Sequence, residues 1–274
     1  MSLVFSTIDS LGRTITRNVE YTLRVLLMVY LSLRATFLDQ AQGLRTIFSV
    51  ISAQIYFTGF QAMPLISVLA LASGGVVILQ SSSNLNLFGG SEMIGKLLVI
   101  LIVRELGPLM TALVVIARSG TAVASEVGNM RANREIEALE AMGINPLSYI
   151  VFPRLFGGVV SVLCLSIYYV LTSLIGGFFL SRWLHEMPFH FYITALTSAI
   201  EAEDLWLFLL KNIFSGTIIF VVCCYQGLSV KRSPTEVPVA TTQAVVNSII
   251  YVVVFNMTVT SLFYLNKLMK LGVI

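Results

Sequence analysis

The chain has 274 residues, of which 57% are hydrophobic and only 11% charged, and its mean hydropathy is +0.88. An ordinary soluble domain carries charge on about a quarter of its residues, so this composition excludes a water-soluble fold and predicts an integral membrane protein. The net charge of +3 says little by itself, and no nucleic-acid partner is expected.

The first element in the chain is an amphipathic segment. Its charged residues recur every three to four positions and so share one helical face. They are Arg13, Arg17, Glu20 and Arg24. The apolar run that follows, residues 25–33, rises only about 13 Å as a helix, which is too short to cross a bilayer. The region 1–45 is therefore predicted to hold an interfacial helix with its basic face toward the lipid headgroups.

The next apolar stretch, residues 46–80, contains no charged residue and is longer than one straight crossing requires. Pro64, Gly74 and Gly75 offer places to bend. The stretch is either one long kinked span or two short ones, and a polar turn at 81–90 follows it. Further spans are predicted at 94–117, about 155–181, about 206–226 and about 242–265.

The positions of lysine and arginine decide the number of spans. With one span in 46–80 and a cytoplasmic N-terminus, eleven of these residues fall in inside segments and three in outside segments. Cytoplasmic loops carry such an excess. Two spans in 46–80 would export the five N-terminal arginines if the later loops kept their sides. The sequence therefore predicts an all-α protein with a five-span bundle over 46–265.

The second predicted span carries two charges near its centre, Arg104 and Glu105. They lie roughly 16 Å from its outer end, where each costs about 2.5–3.5 kcal/mol. Helical neighbours point about 100° apart, so each is expected to find its own partner on another helix, on another subunit or in a wet cavity. Pro108 lacks an N–H and leaves the carbonyl of Arg104 without its usual donor. The group is either a structural interhelical ion pair or a polar patch on a pathway through or between subunits.

A short amphipathic helix is predicted within the loop 118–154. Asn133 is placed to start it and Gly143 to stop it, with acidic residues in its first turn. Its apolar side consists of Ile136, Leu139 and Met142, and its acids are Glu135, Glu137 and Glu140. Three acids disfavour contact with anionic lipid. The helix is expected either to dock in the groove of a partner or to stay solvated without one.

No nucleotide or metal site is expected in this chain. GSEMIGKL (90–97) nearly matches the phosphate-loop pattern, but Leu97 stands where the Mg²⁺-binding hydroxyl belongs. If ATP drives this protein, another chain must hydrolyse it, so no cofactor is expected here. The spacing of His185 and His190 matches no strong zinc pattern, and the three cysteines lie within apolar runs.

Five sequence motifs resemble those of the MlaE/YrbE permease family in order and spacing. They are RELGP (104–108), ARSGTAVASEVGNMR (117–131), EALEAMGINPLSY (137–149), PR (153–154) and ATTQAVVNS (240–248). The resemblance runs from the N-terminal helix to the last span. The chain departs from the family at 229–239, where SVKRSPTEVPV stands in place of a glycine-rich stretch.

The resemblance implies a single permease domain over 1–274, with an interfacial elbow helix, five transmembrane helices and a cytoplasmic coupling helix at about 132–143. It implies a homodimer in the bacterial inner membrane, two cytoplasmic ABC ATPase subunits and a periplasmic MCE-domain protein. The coupling segment would contact the ATPase through Arg131, Glu135, Glu137, Leu139, Glu140 and Met142. A phospholipid would enter the dimer cavity beside Arg104, Glu105 and Pro108.

These expectations describe a permease that moves phospholipid between the inner and outer membranes. Arg104 and Glu105 would favour zwitterionic or anionic headgroups, and apolar residues of the first two spans would hold the acyl chains. The alternative is a non-transporting scaffold that anchors an ATPase and a periplasmic MCE protein; only transport predicts lipid in the cavity. An intramembrane enzyme lacks support, because no Ser/His/Asp, paired-Asp or metal-ligand set converges within the spans.

Overall fold

The computed structural model describes residue 16 and residues 20–36, 44–83, 92–185, 188–231 and 233–270, and every regular element within them is a helix. Five helices of this described part are long and apolar enough to cross a membrane. They are called spans 1 to 5 here: Phe48–Ser81, Gly95–Ala132, Leu147–Trp183, Ala202–Leu228 and Pro234–Lys270. The predicted all-α architecture with five spans is confirmed.

The N-terminal helix, residues 20–36, packs on the ends of spans 4 and 5 that lie beside the loop 229–239. The ring of Tyr21 lies edge-on to Tyr225, with centroids 5.1 Å apart, and stacks on Tyr251 at 5.9 Å. Arg24 pairs with Glu20 one turn away at 2.6 Å, as expected for charges on one helical face. The other two charges of that face, Arg13 and Arg17, lie outside the described residues.

Span 1 is a single kinked crossing. Its helical pieces are Leu44–Thr58, the 3₁₀ turn Phe60–Ala62 and Met63–Ser83. The break falls one turn before Pro64, because proline lacks a backbone N–H and its ring crowds the carbonyl group four residues earlier, that of Phe60. The helix continues unbroken through Gly74 and Gly75, which therefore do not provide a bend. It also includes the first residues of the predicted turn, whose remaining part lies outside the described residues.

Gly74 instead lets spans 1 and 3 meet at their backbones. A Cβ atom built on Gly74 would overlap the carbonyl oxygen of Ser173, whereas one on Gly75 would lie 3.4 Å from Leu180 Cδ2 in ordinary contact. Small residues at helix contacts allow such close approach within a membrane. The crossing of spans 1 and 3 is therefore set by the missing side chain of Gly74.

Replacing Gly74 with alanine is expected to lower the free energy of unfolding by about 1–3 kcal/mol, because the backbone at Ser173 cannot move aside without separating the two helices. Equilibrium unfolding in mixed micelles measures the change. Gly75→Ala is the matched control and is expected to change stability by less than about 0.5 kcal/mol. Equal stability of the two variants would contradict the close contact at Gly74.

Span 2 is one continuous helix and extends well beyond the predicted end at residue 117. Two of its segments are π-helical, Val99–Leu106 and Ile116–Gly120. Such wider turns are frequent at functional sites, and the first of them contains Arg104 and Glu105. The other helical pieces of spans 2 to 5 are Glu92–Leu98, Gly107–Val115, Thr121–Ala132, Leu147–Val151, Phe152–His185, Ala202–Leu228 and Val237–Lys270.

The loop helix, Glu135–Ala141, is shorter than the predicted coupling helix. The prediction that Asn133 starts it is wrong, because span 2 remains helical to that point and Asn133 follows its last helical residue. Arg134 then adopts the left-handed conformation, with φ of +62°, and turns the chain into the loop helix. Gly143 follows the helix with φ of +75°, a conformation that suits the predicted stop.

The predicted apolar side of the loop helix is only partly right. Ile136 is buried and Leu139 is half-buried against the same hydrophobic core. Met142, in contrast, is 66% exposed. It follows the last helical residue, Ala141, so it does not continue the face that Ile136 and Leu139 form.

The loops at the two ends of the bundle are also ordered. A connecting helix, Phe189–Ala199, links spans 3 and 4 at the end opposite the loop helix. The divergent loop 229–239 contains the 3₁₀ turn Pro234–Glu236, and the Glu236 carboxylate accepts a hydrogen bond from the backbone N–H of Lys231 at 2.9 Å. Proline and charged residues thus define the backbone of this loop.

Span 5 has a face that no other helix among the described residues covers. Only 17% of its most apolar window is buried, against 61% for spans 2 and 4. Exposed apolar residues recur along it every three to four positions and form what we call the span 5 stripe: Val246, Ile250, Val254 and Met257. This spacing places them on one side of the helix.

Candidate functional site

Arg104 is buried and forms an ion pair with Asp204 in the first turn of span 4. Arg104 Nε lies 2.5 Å from Asp204 Oδ1, in a charge contact that lacks the alignment of a hydrogen bond. Asp204 Oδ2 accepts the backbone N–H of Glu201 at 3.0 Å, as part of a capping box. The Phe263 ring of span 5 lies 5.1 Å from the guanidinium carbon. Arg104 therefore holds span 2 against spans 4 and 5.

Glu105 takes its partners from different turns of the same two helices. Lys211 of span 4 donates to Glu105 Oε1 at 3.0 Å and to the backbone carbonyl of Arg104 at 2.7 Å. Thr260 of span 5 donates to the same carboxylate, with oxygen distances of 3.1 and 3.2 Å. Lys211 thus supplies the donor that Pro108 cannot provide. The carbonyl freed by proline is used for interhelical bonding.

Sequence reasoning correctly required separate partners for Arg104 and Glu105, but it did not identify them. Asp204 lies just before the predicted span at about 206–226, and Lys211 and Thr260 lie inside predicted spans without a motif that marks them. The sequence feature that indicates a partner for Glu105 is charge balance. Lys211 is a lone cation in span 4, and a charge at that depth needs a partner of opposite sign.

The cluster combines two buried cations with one buried and one accessible carboxylate. Arg104 is 5% exposed, Lys211 1% and Asp204 0%, whereas 37% of the Glu105 side chain is exposed. The four formal charges cancel, as a low-dielectric interior requires. Arg104 and Asp204 thus form a structural ion pair, while Glu105 borders open space.

That open space is a cavity of about 320 Å³ on the uncovered face of span 5. Its lining residues are Glu105, Leu109, Val253, Asn256, Met257, Thr260 and Ser261. Asn256 donates through Nδ2 to Ser215 Oγ at 3.1 Å and to the Val252 carbonyl at 2.8 Å. Its Oδ1 is buried and has no hydrogen-bond partner within the described residues. The cavity therefore combines apolar walls with the accessible Glu105 carboxylate.

The residues assigned to ATPase contact lie at the end of the bundle that carries the loop helix. Glu135, Glu140 and Met142 are exposed there, and Arg131, Glu137 and Leu139 are half-buried. Exposed acids on a short helix leave its polar side open to a partner. The contact with an ATPase itself stays a prediction.

Metal-binding groups are dispersed in the part of the chain that the structure describes. No set of three or more His, Cys, Asp or Glu residues lies close enough there to hold a metal ion. Cys164, Cys223 and Cys224 are free thiols. The side chain of His185 lies outside the described residues.

The sequence from residue 51 to residue 262 matches the family model described as Permease MlaE. The chain belongs to the MlaE permease family. The match includes the loop helix and all four charged residues of the cluster, Arg104, Glu105, Asp204 and Lys211. The family resemblance of the motifs is thereby confirmed.

Relatives of this MlaE-family chain are permeases in several lineages. A probable ABC transporter permease protein of Rickettsia bellii is 31% identical over 217 residues, which are 79% of this chain and 84% of that protein. The intermembrane phospholipid transport system permease protein MlaE of Haemophilus influenzae is 27% identical, over 81% of this chain and 85% of its own length. A probable ABC transporter permease protein of Porphyra purpurea is 26% identical, over 79% and 82% respectively. This chain is therefore a multi-pass membrane protein with a permease role.

Proposed function

We propose that this MlaE-family chain is the membrane subunit of an ABC transporter that moves phospholipid between the inner and outer membranes of a bacterium. The relative in Haemophilus influenzae is named for intermembrane phospholipid transport. The observation that supports a substrate path is the accessible Glu105 carboxylate, which lies inside span 2 and borders a cavity between spans 2 and 5. Charges at such depth are tolerated where they line a cavity or a protein interface.

The uncovered face of span 5 supports a homodimer of single-domain permeases, each formed by residues 1–274. The span 5 stripe is apolar along several turns, and the cavity opens on the same side. A second copy packed there would enclose the two cavities between the subunits. Lipid would then enter a compartment that is shielded from the surrounding acyl chains.

The energy source in this proposal is a pair of separate ABC ATPase subunits, since this chain is expected to bind no cofactor. They would dock on the loop helix, Glu135–Ala141, at the cytoplasmic end of the bundle. The N-terminus would lie on that side of the inner membrane. A periplasmic MCE-domain protein would sit at the opposite end, where the connecting helix lies.

The roles within the cluster follow from accessibility. Glu105 would contact the lipid, because its carboxylate faces the cavity. Arg104 and Lys211 are positioning residues, since they fix spans 2 and 4 and the carboxylate but are themselves sealed from the cavity. Pro108 contributes by freeing the carbonyl that Lys211 binds. Movement of spans 2 and 5 would alternately expose this site to the two sides of the membrane.

Filling the cavity tests the proposal. Met257 lines it and is exposed, so Met257→Trp should reduce ATP-dependent lipid transfer about tenfold, equivalent to roughly 1.4 kcal/mol on the barrier. ATP turnover should persist because the loop helix is unchanged. The measurement is transfer of labelled phospholipid from proteoliposomes that contain the permease and its ATPase.

Ile175→Trp is the matched control, because Ile175 is an exposed apolar residue of span 3 outside the cavity. It should leave transfer unchanged. The alternative function is a membrane scaffold. It is favoured by the observation that both ion pairs of the cluster form between residues of one chain. ATP turnover without transfer by the unmodified complex, and without lipid bound to it, would support the scaffold and overturn transport.

A further inference from the structure

The polar cluster presents one sign of charge to the cavity. Lys211 and Arg104 are almost completely buried, and each is already paired with a carboxylate. A phosphate group in the cavity could not reach either cation without breaking an ion pair. Glu105 is the charged residue among those that line the cavity. The accessible charge is therefore negative.

The remaining polar atoms of the cavity are also suited to accept hydrogen bonds. Thr260 donates its hydroxyl hydrogen to the Glu105 carboxylate, so the hydroxyl oxygen can still accept a hydrogen bond. Lys211 occupies Oε1 of the carboxylate. A ligand group that carries several hydrogen-bond donors and a positive charge would therefore complement this site.

We propose that the cavity binds the primary ammonium of a phospholipid headgroup, so that this permease prefers ethanolamine lipids to glycerol lipids. This inference rests on the transport function proposed above. A primary ammonium carries three N–H donors and one positive charge, which match the Glu105 carboxylate and the Thr260 hydroxyl. A quaternary choline carries the charge without donors, and a glycerol headgroup carries donors without the charge.

The size of the cavity is consistent with a headgroup and not with a whole lipid. Its volume of about 320 Å³ lies at the lower end of small-molecule sites, which span roughly 300–1,000 Å³. The acyl chains must therefore lie outside it, in the compartment that the two copies of the proposed homodimer enclose. The phosphate would remain at the cavity mouth, away from the sealed cations.

The experiment uses the complete complex in proteoliposomes that contain equal amounts of phosphatidylethanolamine, phosphatidylglycerol and phosphatidylcholine. ATP-dependent transfer of each lipid is measured, and the headgroups of co-purifying lipids are quantified by mass spectrometry. The unmodified complex should favour phosphatidylethanolamine over phosphatidylglycerol about tenfold, in transfer and in bound lipid, which corresponds to roughly 1.4 kcal/mol. Phosphatidylcholine should fall between them.

Two variants change the charge of the cavity without large changes in shape. Glu105→Gln should bring the ratio of phosphatidylethanolamine to phosphatidylglycerol close to one, because it keeps the hydrogen bond from Thr260 but removes the charge. Met257→Lys should move the ratio in favour of phosphatidylglycerol. Glu203→Gln, at an exposed acid next to the buried Asp204, should retain the ratio of the unmodified complex. Soluble ethanolamine should not compete, since it lacks the acyl chains.

Several results would overturn headgroup selection while leaving transport intact. They are equal transfer of the three lipids, an unchanged ratio in Glu105→Gln, or binding of soluble ethanolamine in place of lipid. If a variant fails to assemble, the headgroups of the lipids bound to the unmodified complex decide whether the cavity selects ethanolamine lipids. A complex that neither binds nor transfers lipid refutes the transport function as well.

Discussion

Replacing Asp204 with asparagine is expected to lower the free energy of unfolding by about 3–5 kcal/mol, the largest effect of any single change proposed for this chain. The variant keeps the size of the side chain and an oxygen that can accept the Glu201 N–H. It removes the only carboxylate that pairs with Arg104 in the described part of the chain. Arg104 is 5% exposed, so its charge cannot recover hydration. Equilibrium unfolding in mixed micelles provides the measurement.

Glu203→Gln is a stringent control for this prediction, because it neutralises the neighbouring acid in the same helical turn. Glu203 and its partner Lys270 are both exposed and 3.4 Å apart, so the expected change is about 0–1 kcal/mol. A double variant, Arg104→Leu with Asp204→Leu, should recover most of the lost stability, since no buried charge is left unpaired. Similar losses for Asp204→Asn and Glu203→Gln would show that the buried ion pair is not formed.

Replacing Lys211 with methionine is expected to lower the free energy of unfolding by about 2–4 kcal/mol. The change leaves the Glu105 carboxylate without its counter-ion and the Arg104 carbonyl without its donor. The effect should be somewhat smaller than that of Asp204→Asn, because Glu105 is partly exposed and can be hydrated from the cavity. Adding Glu105→Gln to the variant should restore part of the stability. The same unfolding experiment measures both.

Lys267→Met is the matched control, near the C-terminal end of span 5. Lys267 donates to Glu201 at 3.0 Å and lowers the pKa of that carboxyl, but both side chains are well exposed. Solvent screening limits such a pair to less than about 1 kcal/mol. The prediction for Lys211 is wrong if Lys211→Met and Lys267→Met unfold at the same denaturant concentration.

The sequence correctly predicted the features that depend on local composition. Span number follows from apolar runs that are long enough to cross hydrocarbon, and the structure has the same five. Pro108 had to leave a carbonyl free whatever surrounds it, and the structure shows that carbonyl bound by Lys211. The failures concern helix ends. Asn133 lies outside the loop helix because span 2 extends to Ala132, and Met142 lies outside it because the loop helix ends at Ala141.

By itself, the sequence determined that this is a five-span membrane protein of the MlaE family type and that the charges at 104 and 105 must be compensated. The physical reason is that burying a charge in hydrocarbon is unfavourable wherever it occurs, so the need for partners can be read from position alone. Only the tertiary structure decided that Asp204 and Lys211 are those partners and that Glu105 alone of the four faces a cavity. That outcome depends on how the helices are rotated and how closely they approach one another. Contacts between helices, such as that of Gly74 with Ser173, determine both, and the sequence of one helix does not specify them.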